Sequence, residues 1–172
     1  WSSDVCSSDL DPVGAVFRLE NLELENYLLS SSLKGALVQR LLRRLCPYCR
    51  EQYTPSPRDL RRLKFLTPDI QNHEFHVGTG CEYCGYTGYK GRVGIFELLI
   101  PNEKVREAIV GRKSFLEIRR AGLETAGMVT LVEDGLLKAA RGVTSLQEVI
   151  ARLPVIEPPR PFEQVARLVG DI

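Results

Sequence analysis

The chemistry in this chain is concentrated in four cysteines. Residues 46–49 read CPYC and residues 81–84 read CEYC, two Cys-x-x-Cys knuckles separated by a long insert. The two-residue gap lets both sulfurs of a knuckle face one ion, while backbone amides in the turn soften their charge. Two knuckles together supply four thiolates, which suits a tetrahedral Zn²⁺ site with no open coordination position. Such a closed site predicts a structural role. The competing reading is four free or redox-active thiols, which paired knuckles in a chain without a visible secretion signal disfavour. His73 and His76 lie near enough to Cys81 in sequence to replace a ligand, but are read as loop residues. The ligand set is therefore Cys46, Cys49, Cys81 and Cys84.

The surroundings of the knuckles explain why a metal is needed there. The stretch CEYCGYTGYKGR at 81–92 has no apolar run to anchor it in a core, and Gly85 and Gly88 mark tight turns beneath the metal. Between the knuckles, three prolines interrupt the chain. The one helical candidate, 56–66, is short, with Ser56 as N-cap and Pro57 at the first helical position. The metal takes the place of the missing core, with a folding contribution on the order of 10 kcal/mol.

The elements on either side must position this clip. Residues 11–45 read as mostly helical, with Val16, Leu19, Leu22 and Leu24 in one apolar stripe. Leu28, Leu29, Leu33, Leu37, Leu41 and Leu45 form a second, weakened by Ser30–Ser32 and Gly35. The segment 40–45 fits either a helix end or a strand. After the knuckles, RVGIFELLI at 92–100 reads as a buried strand. Helix signals follow: Asn102 caps 103–110, closed by Gly111. Ser114, Thr130 and Ser145 each have a glutamate three residues on, Glu117, Glu133 and Glu148, in the capping-box pattern. The tail from 154 is proline-rich and reads as a linker.

The first ten residues, WSSDVCSSDL, are unlike the rest and too polar for a signal peptide. One permitted back-translation, TGG AGT TCA GAC GTG TGC TCT TCC GAT CT, resembles the end of a common sequencing adapter. Residues 1–10 are accordingly set aside as an adapter artefact, with Cys6 among them. The chain as a whole has ordinary globular composition, 44% hydrophobic and 26% charged, with a net charge of +1. That balance offers no electrostatic attraction for nucleic acid. No apolar run approaches the ~20 residues that span a bilayer. There is no phosphate-cradling glycine loop followed by Lys-Ser or Lys-Thr, and no nucleophile set beside a His and an acid. No catalytic and no cofactor-binding residue is assigned. Arg40, Arg43 and Arg44 read as a solvated face.

As a set, LVQRLLRRLCPYC, GCEYCGYTGYKGRVGIFELL and AGMVTLVEDGLLKAARGVTSLQEV resemble, in that order, the C-terminal part of the type II secretion and type IV pilus assembly ATPases. The resemblance covers about 11–151. It implies a hexameric cytoplasmic motor whose RecA-like core binds ATP and Mg²⁺ upstream of this segment. The motor would sit peripherally at the inner membrane through a platform protein. It further implies an α+β chain: the end of a RecA-like α/β core at 11–45, a tetracysteine zinc subdomain at 46–91, a return strand and helical C-terminal domain at 92–153, and a proline-rich linker or tail at 154–172. DPVGAV at 11–16 matches the segment after the family's histidine box. ATP and Mg²⁺ would belong to the full-length parent only, and the fragment alone should be inactive. The alternative is a stand-alone zinc-binding interaction module. CEYCGYTG has a superficial likeness to the glycine-bearing repeats of J-domain co-chaperones, but CPYCREQY carries no such glycines.

Overall fold

The computed structural model describes residues 11–63 and 73–170. Residues 1–10, and the end of the helix expected at 56–66, lie outside the described residues. Helices and strands are mixed: α1 (Pro12–Glu20), α2 (Asn26–Ser32), β1 (Ala36–Leu45), β2 (Arg50–Tyr53), α3 (Pro57–Arg62), β3 (Phe75–Gly78), β4 (Tyr89–Leu99), α4 (Glu103–Val110), α5 (Phe115–Thr125), α6 (Leu131–Ala140), α7 (Leu146–Arg152) and α8 (Phe162–Val169). β1 pairs with β4, and β2 pairs antiparallel with β3 in the register Arg50↔Gly78 to Tyr53↔Phe75. Among the described residues no helix is long and apolar enough to cross a membrane.

Contacts divide the chain into two units. The first comprises 11–38 and 96–129. Its core is Val13, Val16, Leu29, Leu99, Val105, Ile109, Ile118 and Met128, drawn from α1, α2, the end of β4, α4, α5 and the turn that follows α5. Asp11 caps α1 by accepting from the Gly14 amide at 2.8 Å, and Pro12 occupies the first turn, where a missing N–H costs nothing. Inside this unit lies a buried ionic group. Arg119 donates to Glu97 at 2.7 Å and to Asp11 at 3.0 Å, so the carboxylate that β4 turns inward is neutralised.

The second unit comprises 39–95 and 130–170. β3 packs on α6 and α7, α3 on α7, and α8 on α6, burying Leu42, Leu45, Leu63, Phe75, Leu136, Leu146 and Val149. Thr130 and Glu133 form the expected reciprocal box, as Ser114 and Glu117 do in the first unit. Ser56 and Asp59 form one more at α3.

Five expectations are corrected. Residues 36–45 form a strand, not a continuation of the helix. From Ala36 to Leu42 exposure alternates with period two, and the presumed stripe residues Leu37 and Leu41 face solvent. In the first stripe only Val16 is fully buried, because the helix ends before Leu22 and Leu24. Residues 92–100 are buried on one face only: Ile95, Glu97 and Leu99 point in, while Phe96 and Leu98 are exposed. The box at α7 is half-formed. Ser145 accepts from the Glu148 amide at 3.1 Å, but the Glu148 carboxylate turns to Arg43 instead. The tail, read as a linker, contains α8, whose Phe162 and Val165 are buried.

Candidate metal centre

The two strand pairs carry the knuckles at their ends. β1 runs into Cys46, and β2 leaves directly after Cys49. β3 leads to Cys81 through Thr79 and Gly80, while β4 begins soon after Cys84. The knuckles are tied by backbone bonds: the Cys46 amide donates to the Gly88 carbonyl at 3.0 Å, and the Thr79 amide to the Cys49 carbonyl at 2.9 Å. Residues 82–84 make one 3₁₀ turn, closed by Gly85 in the left-handed region at φ 61°.

Glycine is obligatory where the two stretches cross. A Cβ on Gly78 would lie 2.1 Å from the Gly88 carbonyl oxygen, and one on Gly88 (φ 76°) 2.5 Å from that of Gly78. The backbones touch because no side chain separates them. Gly88 was anticipated as a turn residue; the role of Gly78 depends on a partner ten positions away and was not.

All four sulfurs are brought together. Cys46 to Cys81, Cys49 to Cys84, and Cys81 to Cys84 are separated by 3.8, 3.9 and 3.8 Å, and every ligand atom lies within 4.8 Å of the others. A disulfide would require about 2.05 Å, and the four thiols are free. A tetrahedron with Zn–S bonds of about 2.3 Å has edges of roughly 3.8 Å, so the observed spacing fits that ion. Amides are aimed at the sulfurs: Gly80 donates to Cys49 Sγ, and Cys81 and Gly88 to Cys84 Sγ, each at 3.3 Å. Such donors stabilise thiolates, the form that ligates. Burial pushes the Cys49 thiol up to about 12. At Cys84 burial is opposed by the Cys81 and Gly88 amides, which bring it down to about 6.

Neither histidine joins the four sulfurs. His73 stacks on Phe162, with ring centroids 4.3 Å apart. His76 lies on β3 opposite Gln52, a strand position where a loop was expected. Outside the thiols the knuckles present exposed tyrosines: Tyr48 and Tyr83 meet edge-on at 4.6 Å, and Lys90 sits 5.1 Å over the Tyr83 ring.

Behind the knuckles, one latch joins β1 and β4 to α7. Arg43 lies 4.0 Å over the Tyr89 ring and donates to Glu148 Oε2 at 2.9 and 2.5 Å. Its own amide donates to Glu148 Oε1 at 3.2 Å. The Tyr89 hydroxyl meets Ser145 Oγ at 2.7 Å. Burial opposes charge on Glu148, but the Arg43 guanidinium and amide hold its carboxyl below the usual carboxylate range. Sequence reading placed Arg43 on a solvated face, since nothing local reveals a partner so distant in the chain.

Known proteins are similar to this chain over most of its length. The chain is 46% identical over 142 residues to the type IV pilus assembly ATPase PilB of Thermus thermophilus, covering 83% of this chain and 16% of that protein. It is 41% identical over 138 residues to type II secretion system protein E of Dickeya dadantii, covering 80% and 26%. It is 40% identical over 139 residues to the protein of that name from Klebsiella pneumoniae, covering 80% and 27%. The chain thus spans only a minor part of the length of these relatives. With residues 10–151 also matching the profile of the type II/IV secretion system protein family, the chain belongs to that family.

Proposed function

We propose that this chain is the C-terminal part of a hexameric ATPase motor that powers type II secretion or type IV pilus assembly. The observation that carries the reading is the 46% identity to a pilus assembly ATPase across most of the chain. In this reading 11–45 closes a RecA-like core, 46–91 is a zinc-clipped subdomain, and 92–153 supplies a return strand and the helical end. ATP and Mg²⁺ would be bound by the preceding part of the parent. The motor would work in the cytoplasm, held at the inner membrane by a platform protein.

Cys46, Cys49, Cys81 and Cys84 would hold the Zn²⁺. The chemistry supplied by a bound ion here is cross-linking, since four protein ligands leave no position for substrate. The chain's own residues do the rest. The Gly80, Cys81 and Gly88 amides compensate the thiolates, and the Gly78–Gly88 crossing sets the sulfur spacing. The result is a stiff projection bearing Tyr48, Tyr83 and Tyr86, suited to passing force to a partner.

The test is a chimera in which residues 11–153 replace the matching segment of the Thermus PilB. ATP turnover and piliation are expected to persist, and Cys46→Ser with Cys81→Ser should abolish piliation. A folded, hexameric chimera that neither hydrolyses ATP nor assembles pili would overturn the reading. So would ATP turnover by the present chain alone.

A further inference from the structure

The tail has no place in the function proposed above. Residues after 151 lie beyond the family match, yet 162–169 fold into α8 and dock on the second unit. Three side chains make the contact. Phe162 and Val165 are 5% and 2% exposed, and Phe162 lies edge-on to Phe75 at 6.3 Å. Arg160 grips Glu133 through its side chain at 2.9 and 2.8 Å and through its backbone amide at 2.9 Å. The groove beneath is walled by Leu136 and Leu137, and the space left within it is about 10 Å³, barely one water. Strap and groove are therefore complementary in shape and in charge.

The strap is nevertheless poorly equipped to stand alone. α8 has eight residues and no side-chain N-cap, well short of the ~12–15 residues an isolated helix needs. It hangs on a segment, 154–161, that has neither helix nor strand and contains Pro154, Pro158, Pro159 and Pro161. Prolines keep such a hinge extended, and the residues from 154 up to Arg160 reach about 20 Å. A released strap exposes Phe162 and Val165, and a vacated groove exposes Phe75 and leaves the Glu133 carboxylate with the Thr130 amide but without its arginine. Among the described residues, the strap is the segment that fits this groove in shape and charge.

We propose that α8 is an exchangeable strap: released from its own chain, it docks in the same groove of a second copy. The groove is a helix-binding site that reads Arg160, Phe162 and Val165, and the hinge lets one copy serve its neighbour. Exchange of this kind needs no new interface, since the contacts made in trans are those already made in cis. It is favoured wherever copies are held at high effective concentration. The proposal is independent of the motor reading, and its test involves neither ATP nor secretion.

The probe is a fluorescent peptide of residues 156–170. The 172-residue chain carrying Phe162→Ala and Val165→Ala has a disabled strap and should bind the peptide saturably. The intact chain should bind at least tenfold more weakly, because its own strap competes. Sedimentation should show a concentration-dependent dimer of the intact chain, absent in the disabled variant. If that variant fails to fold, a protease site placed in 155–158 of the otherwise intact chain allows the strap to be cut after folding, and the cut strap should exchange with labelled peptide. Three results would overturn the proposal: no peptide bound by a disabled chain whose α6 and α7 amides stay protected, no exchange after cutting, or peptide binding with the intact chain monomeric at every concentration.

Discussion

Glu148 shows how one residue can be claimed by two structures. Its position three residues after Ser145 suits a capping box, yet its carboxylate, 2% exposed, serves Arg43. A local bond worth about 1 kcal/mol yields to a charge-assisted pair worth more. Because the folded-state pKa of Glu148 lies below its unfolded value, the pair's stabilisation is complete above the ordinary glutamate range near 4.3. It is lost as pH falls through the depressed folded value. In Arg43→Met the buried carboxylate loses the guanidinium and keeps the residue-43 backbone amide and Arg152, 3.6 Å away, so its pKa rises and the acid limb of a Tm-against-pH curve should move to higher pH. The expected cost at neutral pH is about 1–3 kcal/mol, below that of a fully buried pair because the Arg43 side chain is half exposed. An unchanged acid limb would show that Glu148 is not held by Arg43.

At the scale of elements, the strand ends act as a frame for the sulfurs, and glycines set the frame's spacing. Gly85 and Gly88 both have positive φ, but they differ in surroundings: nothing lies within 4 Å of a Cβ on Gly85, whereas Gly88 meets backbone. Gly85→Ala should therefore cost only the left-handed penalty, about 1–2 kcal/mol, and keep the metal. Gly88→Ala should force the two crossing backbones apart and lose it. Cobalt titration, read through the thiolate-to-metal absorption, separates the two. Equal affinities would mean the crossing does not set the sulfur positions.

For the whole molecule, the division into two units predicts a divided response to metal loss. The first unit has its own core and contributes none of the four sulfurs. Chelation should raise amide exchange in 46–53 and 75–92, while α1, α4 and α5 keep their protection. Metal analysis of the untreated protein should give one zinc per chain, and none after Cys49→Ser with Cys84→Ser. Exchange rising equally in both units would show that the metal holds more than the unit that contains it.

Much of this was legible in the residues themselves. The two cysteine knuckles and the N-caps at Asn102, Ser114, Thr130 and Ser145 follow from local spacing, because a knuckle or a cap is made by residues within four positions of one another, while the family came from the resemblance of three longer motifs. What escaped was non-local. Residues 36–45 carry leucines at helical intervals and became a strand because β4 lies alongside to complete its hydrogen bonds. β2 and β3 are four residues each, too short for any period to show, and exist through each other. Gly78 matters through Gly88, Arg43 through Glu148, and the tail through a groove on α6. The sequence by itself determined which atoms could hold a metal. Only the tertiary structure decided which backbones touch, which charges pair and where the tail lies, since those energies come from groups brought together by the fold.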